Sequence, residues 1–131
     1  NLNLLGLKSS KKESRLTLDK LNKQIRSFSK DNEISIKTLQ THKKFQAINF
    51  LQRNRNWANG ILFIPTSWAR NSYTILETIN LIQLKTSVIY FNDDFSFGTS
   101  MKDSIFTHNN IESFTGSPIE ACIQGMEFLV K

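Results

Sequence analysis

Apolar and polar positions along the chain fall in blocks whose period changes from one block to the next. At 2–7 the run LNLLGL is apolar and ends in the polar turn KSSKKES. Ser14 stands where it can cap a helix in which Leu18, Leu21, Ile25 and Phe28 follow at i, i+3, i+7 and i+10, a single stripe. Lys30, Asp31 and Asn32 break that helix. EISIKTL at 33–39 then alternates at period two, which predicts a strand near the sheet edge with Ile34, Ile36 and Leu39 inward. A second helix is predicted over 42–56, burying either Phe45, Ile48 and Leu51 or Ala47, Phe50 and Leu51.

GILFI at 60–64 is apolar at nearly every position, as a central strand covered on both faces should be. A helix follows over 72–84 with Ile75, Ile79 and Ile82 on one side, and SVIYF at 87–91 is a further continuous strand stopped by Asn92, Asp93 and Asp94. A short helix over 101–106 and a weak fifth strand at 111–114 come next. The last helix has the clearest start: Ser117 as N-cap, Pro118 at the first position and Glu120 to close a capping box. Its stripe is Ile119, Cys122, Ile123, Met126 and Val130.

Strands therefore recur about every 23–30 residues with a helix between each pair. Such spacing needs right-handed crossovers. The expected fold class is α/β: a three-layer, doubly wound domain around a mostly parallel five-stranded sheet of Rossmann or flavodoxin-like topology, occupying residues 1–131 as one domain. The chain begins on Asn and not Met, which suggests a domain excised from a longer protein.

Composition adds three constraints. With 39% hydrophobic residues and ten Phe the chain can bury a core, while its longest apolar runs are far too short to cross a bilayer. A single cysteine, Cys122, leaves no intramolecular disulfide and fits the cytoplasm; on a buried helical face it is a small core residue. Charge is polarised: residues 1–55 carry thirteen Lys and Arg against four acids, residues 56–131 four against seven. A basic half of this kind can meet nucleic acid or an acidic partner, although lysines on outer helix faces are ordinary solubilising surface, and neither a binding sheet nor a recognition helix is recognisable.

In a doubly wound fold, ligands sit beyond the carboxyl ends of the strands, near helix N-termini. The residues expected there are Lys8, Ser9 and Ser10, then Thr66, Ser67 and Arg70, then Asp93 and Asp94, a set suited to a small anion. No glycine occurs over 7–59, so the chain carries neither GxGxxG nor a P-loop there. His42, His108 and Cys122 have no metal-ligand spacing, and no metal is expected. Trp57 and Trp68 flank the third strand; they could stack on a base, and covering the sheet edge is the simpler role. Glu77 would be a general base if it faced the cleft and solvated surface if it lies opposite Ile75 and Ile79.

Two families resemble this layout. LNLLGL, EISIKTL, the long stretch ending ILFIPTSWARNS, and LKTSVIYFND resemble the universal-stress-protein-like cytoplasmic domain of cation–chloride cotransporters. That resemblance implies a non-catalytic regulatory module without a cofactor, pairing with itself or with a transporter partner at the cytoplasmic face of a membrane. WANGILFIPTSWARNSYTILE, SVIYFNDD, MKDSIF and NIESFTG resemble a TIR domain, which implies NAD as substrate with Glu77 as the catalytic carboxylate. The regulatory or interaction domain is the expected function; a TIR-like NAD hydrolase or scaffold is the alternative, and nucleic-acid binding through the basic half the third.

Overall fold

The computed structural model describes residues 18–91 and 101–131. Helix α1 spans Leu18–Asp31 and α2 spans Lys44–Asn54. Strand β1 is Gly60–Phe63, helix α3 is Tyr73–Ile82, strand β2 is Lys85–Phe91, strand β3 is Ile111–Gly116 and helix α4 is Pro118–Leu129. Short 3-10 turns at Thr66–Arg70 and Met101–Asp103 follow β1 and β2.

All three strands are parallel, in the order β1-β2-β3, with Phe63 beside Val88 and Phe91 beside Gly116. Alternation along β2 builds two cores. Ile89 and Phe91 point to one face, where they pack with Leu21, Ala121 and Cys122 of α1 and α4. Val88 and Tyr90 point to the other, among Ala69, Ile75, Ile79 and Phe106, with Ala47, Ile48 and Leu51 of α2 closing the layer. Three layers and parallel pairing are thus as the spacing implied.

The strand count differs. Among the described residues the sheet has three strands and not five. The first expected strand, 2–7, lies outside the described residues. The alternating stretch 33–39 follows α1 and has no sheet partner among the described residues; Ile34 and Ile36 are half-buried and Leu39 is 45% exposed. Nor is β1 the most covered described strand: its residues are half-buried, whereas every residue of β2 after Lys85 is buried, and among the described residues only β2 has a partner on each side.

Two local expectations also change. Helix α2 buries neither expected set whole, and Phe45 stands 60% exposed while Ala47, Ile48 and Leu51 face the core. Ser117 is the N-cap of α4 with extended backbone (φ −62°, ψ 151°) and Pro118 opens the helix, but no side-chain cap bond forms. What seats α4 is close approach to the sheet. A Cβ added at Gly125 would lie 2.7 Å from Ile89 Cδ1, 2.8 Å from Leu62 Cδ1 and 3.2 Å from Ser87 Cβ. Ser87 Oγ uses that proximity to donate a buried 2.8 Å hydrogen bond to the Gly125 carbonyl.

Candidate functional site

Parallel strands deliver their carboxyl ends to one rim, and two turns meet there. After β1 the chain passes Pro65 into Thr66–Arg70 and reaches the N-terminus of α3; after β2 it returns through 101–107. The Ile105 amide donates to the Ala69 carbonyl at 2.8 Å, tying the second turn to the first. Below the junction Phe106 is fully buried and meets the Phe63 ring edge-on, centroids 5.2 Å apart. The rim therefore rests on packed aromatic rings.

Tyr90, the penultimate residue of β2, is 3% exposed, and its phenol donates to Ser104 Oγ at 2.5 Å. Ser104 Oγ also accepts the Phe106 amide at 3.0 Å. Burial pushes the Tyr90 phenol above its ordinary range, while the Ser104 and Ser113 hydroxyls pull it back in part. Tyr90 is therefore a neutral donor at any physiological pH. Thr66, at the head of the first turn, holds a φ of 50°, a left-handed conformation that a β-branched residue adopts only under constraint. Ser72, the N-cap of α3, is 2% exposed and its Oγ is buried without a hydrogen-bond partner.

Of the residues expected at the rim, Thr66 and Arg70 share the first turn, Thr66 half-buried and Arg70 exposed. Ser67 belongs to the same turn. Lys8, Ser9, Ser10, Asp93 and Asp94 lie outside the described residues. Glu77 is exposed on the outer face of α3, opposite the buried Ile75 and Ile79, and so is solvated. Trp68 packs against the core beside Ala69, while Trp57 is 46% exposed with the Lys37 ammonium 4.3 Å over its ring. Sequence reading missed Tyr90, Ser104 and Ser72. The signal for the first was a lone phenol in the otherwise apolar run SVIYF; nothing distinguished the two serines from turn residues.

Chemically the described rim offers neutral hydroxyl donors, a guanidinium and the positive end of α3, a combination suited to an oxygen-rich, negatively charged small molecule. Among the described residues no group of His, Cys, Asp and Glu could hold a metal ion. A family model described as dehydroquinase class II matches residues 1–130. This chain belongs to the class II dehydroquinase family.

Individual members agree. A 3-dehydroquinate dehydratase of Dictyoglomus turgidum is 29% identical over 100 residues, covering 72% of this chain and 69% of that protein. One from Clostridium botulinum strain 657 is 21% identical over 130 residues, covering 99% of this chain and 88% of its own. The crystal structure of the type II dehydroquinase from Butyrivibrio crossotus superposes with a TM-score of 0.82 at 18% identity, over 100% of this chain and 92% of that one.

Membership in the dehydroquinase family overturns both earlier resemblances. Neither the universal-stress-protein-like transporter domain nor the TIR domain is supported, and with them go the non-catalytic regulatory function, the transporter partner, and NAD as substrate with Glu77 as its catalyst. The features that suggested them, a strand ending at Pro65 and strands recurring at near-regular intervals, belong to doubly wound domains in general and not to one chemistry. The same family match sets aside nucleic-acid binding through the basic half, where Lys23, Arg26 and Lys30 lie exposed on α1. No helix among the described residues is long and apolar enough to cross a membrane.

Proposed function

We propose that this chain catalyses the dehydration of 3-dehydroquinate. The observation that carries the reading is a family match over residues 1–130, in which the relatives are named for that reaction. The substrate is a carboxylate bearing a ketone and several hydroxyls. Its dehydration removes a proton from the carbon beside the ketone and the hydroxyl from the next carbon, forming a double bond conjugated with the carbonyl. The leaving oxygen takes up a proton and departs as water. Such an elimination needs an anchor for the carboxylate, a base for the carbon-bound proton, and donors for the oxygens that gain charge.

The rim supports parts of this assignment. Arg70 and the N-terminus of α3 suit the carboxylate, with Thr66 and Ser67 in the same turn. Lys8, Ser9, Ser10, Asp93 and Asp94, outside the described residues, remain proposed contributors. Incubating the purified chain with 3-dehydroquinate and following the ultraviolet absorbance of the conjugated product tests the reading; no rise over the uncatalysed background rejects it.

The chain is further proposed to work in the cytoplasm as a self-associating protein. The outer face of α3 supports self-association: Tyr73 is 64% exposed and Leu81 75% exposed, two helical turns apart on the same side.

A further inference from the structure

Ser104 occupies an unusual hydrogen-bonding position. Its Oγ accepts the Tyr90 phenol at 2.5 Å and the Phe106 amide at 3.0 Å. A serine hydroxyl has two lone pairs and one proton. With both lone pairs occupied, the proton is what remains for Ser104 to offer. A phenol is the stronger acid of the two hydroxyls, which favours the direction in which Tyr90 gives and Ser104 receives. Two incoming bonds polarise the outgoing O–H and make it a better donor than an isolated serine.

Position decides what that donor can meet. Tyr90 is 3% exposed and sealed under the rim, whereas Ser104 is only half-buried. The pair thus opens toward the surface through Ser104. The Ile105 amide, bonded to the Ala69 carbonyl, fixes the backbone beside Ser104 against the turn that carries Thr66 and Arg70. Preorganisation of this kind is what a donor to a developing negative charge requires, because nothing has to reorient when the charge appears.

We propose that the Ser104 hydroxyl donates to a substrate oxygen that gains negative charge during the elimination, and that Tyr90 is its positioning residue. The inference rests on the dehydratase reading above. It moves no atom between protein and substrate; it assigns one hydrogen bond that strengthens as the carbon-bound proton leaves.

The test compares Ser104→Ala, Ser104→Thr, Tyr90→Phe and the double variant Ser104→Ala/Tyr90→Phe for turnover and for calorimetric binding of 3-dehydroquinate, with thermal melts to confirm folding. Ser104→Ala should lower kcat about tenfold or more with KM changed by less than about threefold. Ser104→Thr, which keeps the hydroxyl, should recover most of that loss. Tyr90→Phe retains the buried ring and should lower kcat several-fold. The double variant should be no slower than Ser104→Ala, since Tyr90 acts through Ser104. A folded Ser104→Ala within about twofold of the parent in kcat overturns this inference alone. A parent chain that neither binds nor turns over 3-dehydroquinate overturns it together with the dehydratase reading.

Discussion

The Ile105 amide and the Ala69 carbonyl, 2.8 Å apart, join the two segments that leave the carboxyl ends of β1 and β2. That bond adds a direct backbone tie between the turn bearing Thr66 and Arg70 and the turn bearing Ser104, beside the packing of Ala69 and Phe106 in one core. Together they form one rim, seated on Phe63 and Phe106 and backed by the buried Tyr90.

Strain at that rim has a measurable consequence. Thr66 holds φ at 50° and Gln83, the C-cap of α3, holds it at 61°. Replacing either by glycine removes the steric cost of a left-handed residue and should leave stability unchanged or raise it by up to about 1 kcal/mol. The two variants should part company in activity. Gln83→Gly should turn over substrate like the parent, whereas Thr66→Gly should lose kcat/KM, because it loosens the turn that holds Arg70. Urea unfolding and steady-state kinetics on the two proteins check this.

Gly125 tests the seating of α4. An added methyl would sit 2.7 Å from Ile89 Cδ1, 2.8 Å from Leu62 Cδ1 and 3.2 Å from the stiffer Ser87 Cβ, so Gly125→Ala must turn the two flexible side chains aside and ease the helix from Ser87 by a few tenths of an ångström. The expected destabilisation is about 1–3 kcal/mol despite the better helix propensity of alanine. It should be accompanied by loss of the Ser87 hydroxyl bond to the helix carbonyl, which Ser87→Ala removes directly at about 1 kcal/mol. Chemical denaturation of the single and double variants measures both effects and their coupling.

How much of this was legible beforehand divides along physical lines. The run SVIYF and the Ser117-Pro118 start announced β2 and α4 because burial on both faces and helix initiation leave local signatures. Parallel pairing followed from the alternation of strands and helices. EISIKTL has no sheet partner among the described residues, because period two describes a pleated surface and does not itself specify the neighbour. The site was least legible. Thr66 and Arg70 could be placed at the rim from their position after β1, but the Tyr90–Ser104 pair joins residues 14 apart across a turn, and no local pattern marks such a contact. Glu77 illustrates the opposite error: a carboxylate near a rim invites a catalytic role, while its helical phase, opposite Ile75 and Ile79, gives it to solvent.

Alkaline pH should weaken the fold. Burial pushes the Cys122 thiol from 9.0 up to about 12, and burial raises the Tyr90 phenol as well. Both groups hold their protons longer folded than unfolded. Their contribution is therefore complete below about pH 9 and is lost as pH climbs toward 12. Urea melts between pH 8 and 11 should show a steady fall in midpoint, and Cys122→Ala should flatten part of it. A midpoint that rises with pH over that interval would contradict the burial of both groups. At pH 8 the same thiol should react with a disulfide reagent only on unfolding.

Self-association through the outer face of α3 predicts a simple outcome. Leu81→Lys, with Tyr73→Lys as a second variant, should shift the protein toward monomer in sedimentation velocity without altering its melting temperature by more than a few degrees. Unchanged sedimentation in both variants would place the contact elsewhere.

The most direct measurement is a proton NMR time course of 3-dehydroquinate with the purified chain at neutral pH, alongside a protein-free control. Growth of a vinyl proton signal matched by loss of substrate, at a rate proportional to protein concentration, is the expected result. Substrate spectra that stay superimposable on the control, with a protein shown to be folded, would contradict the dehydratase assignment.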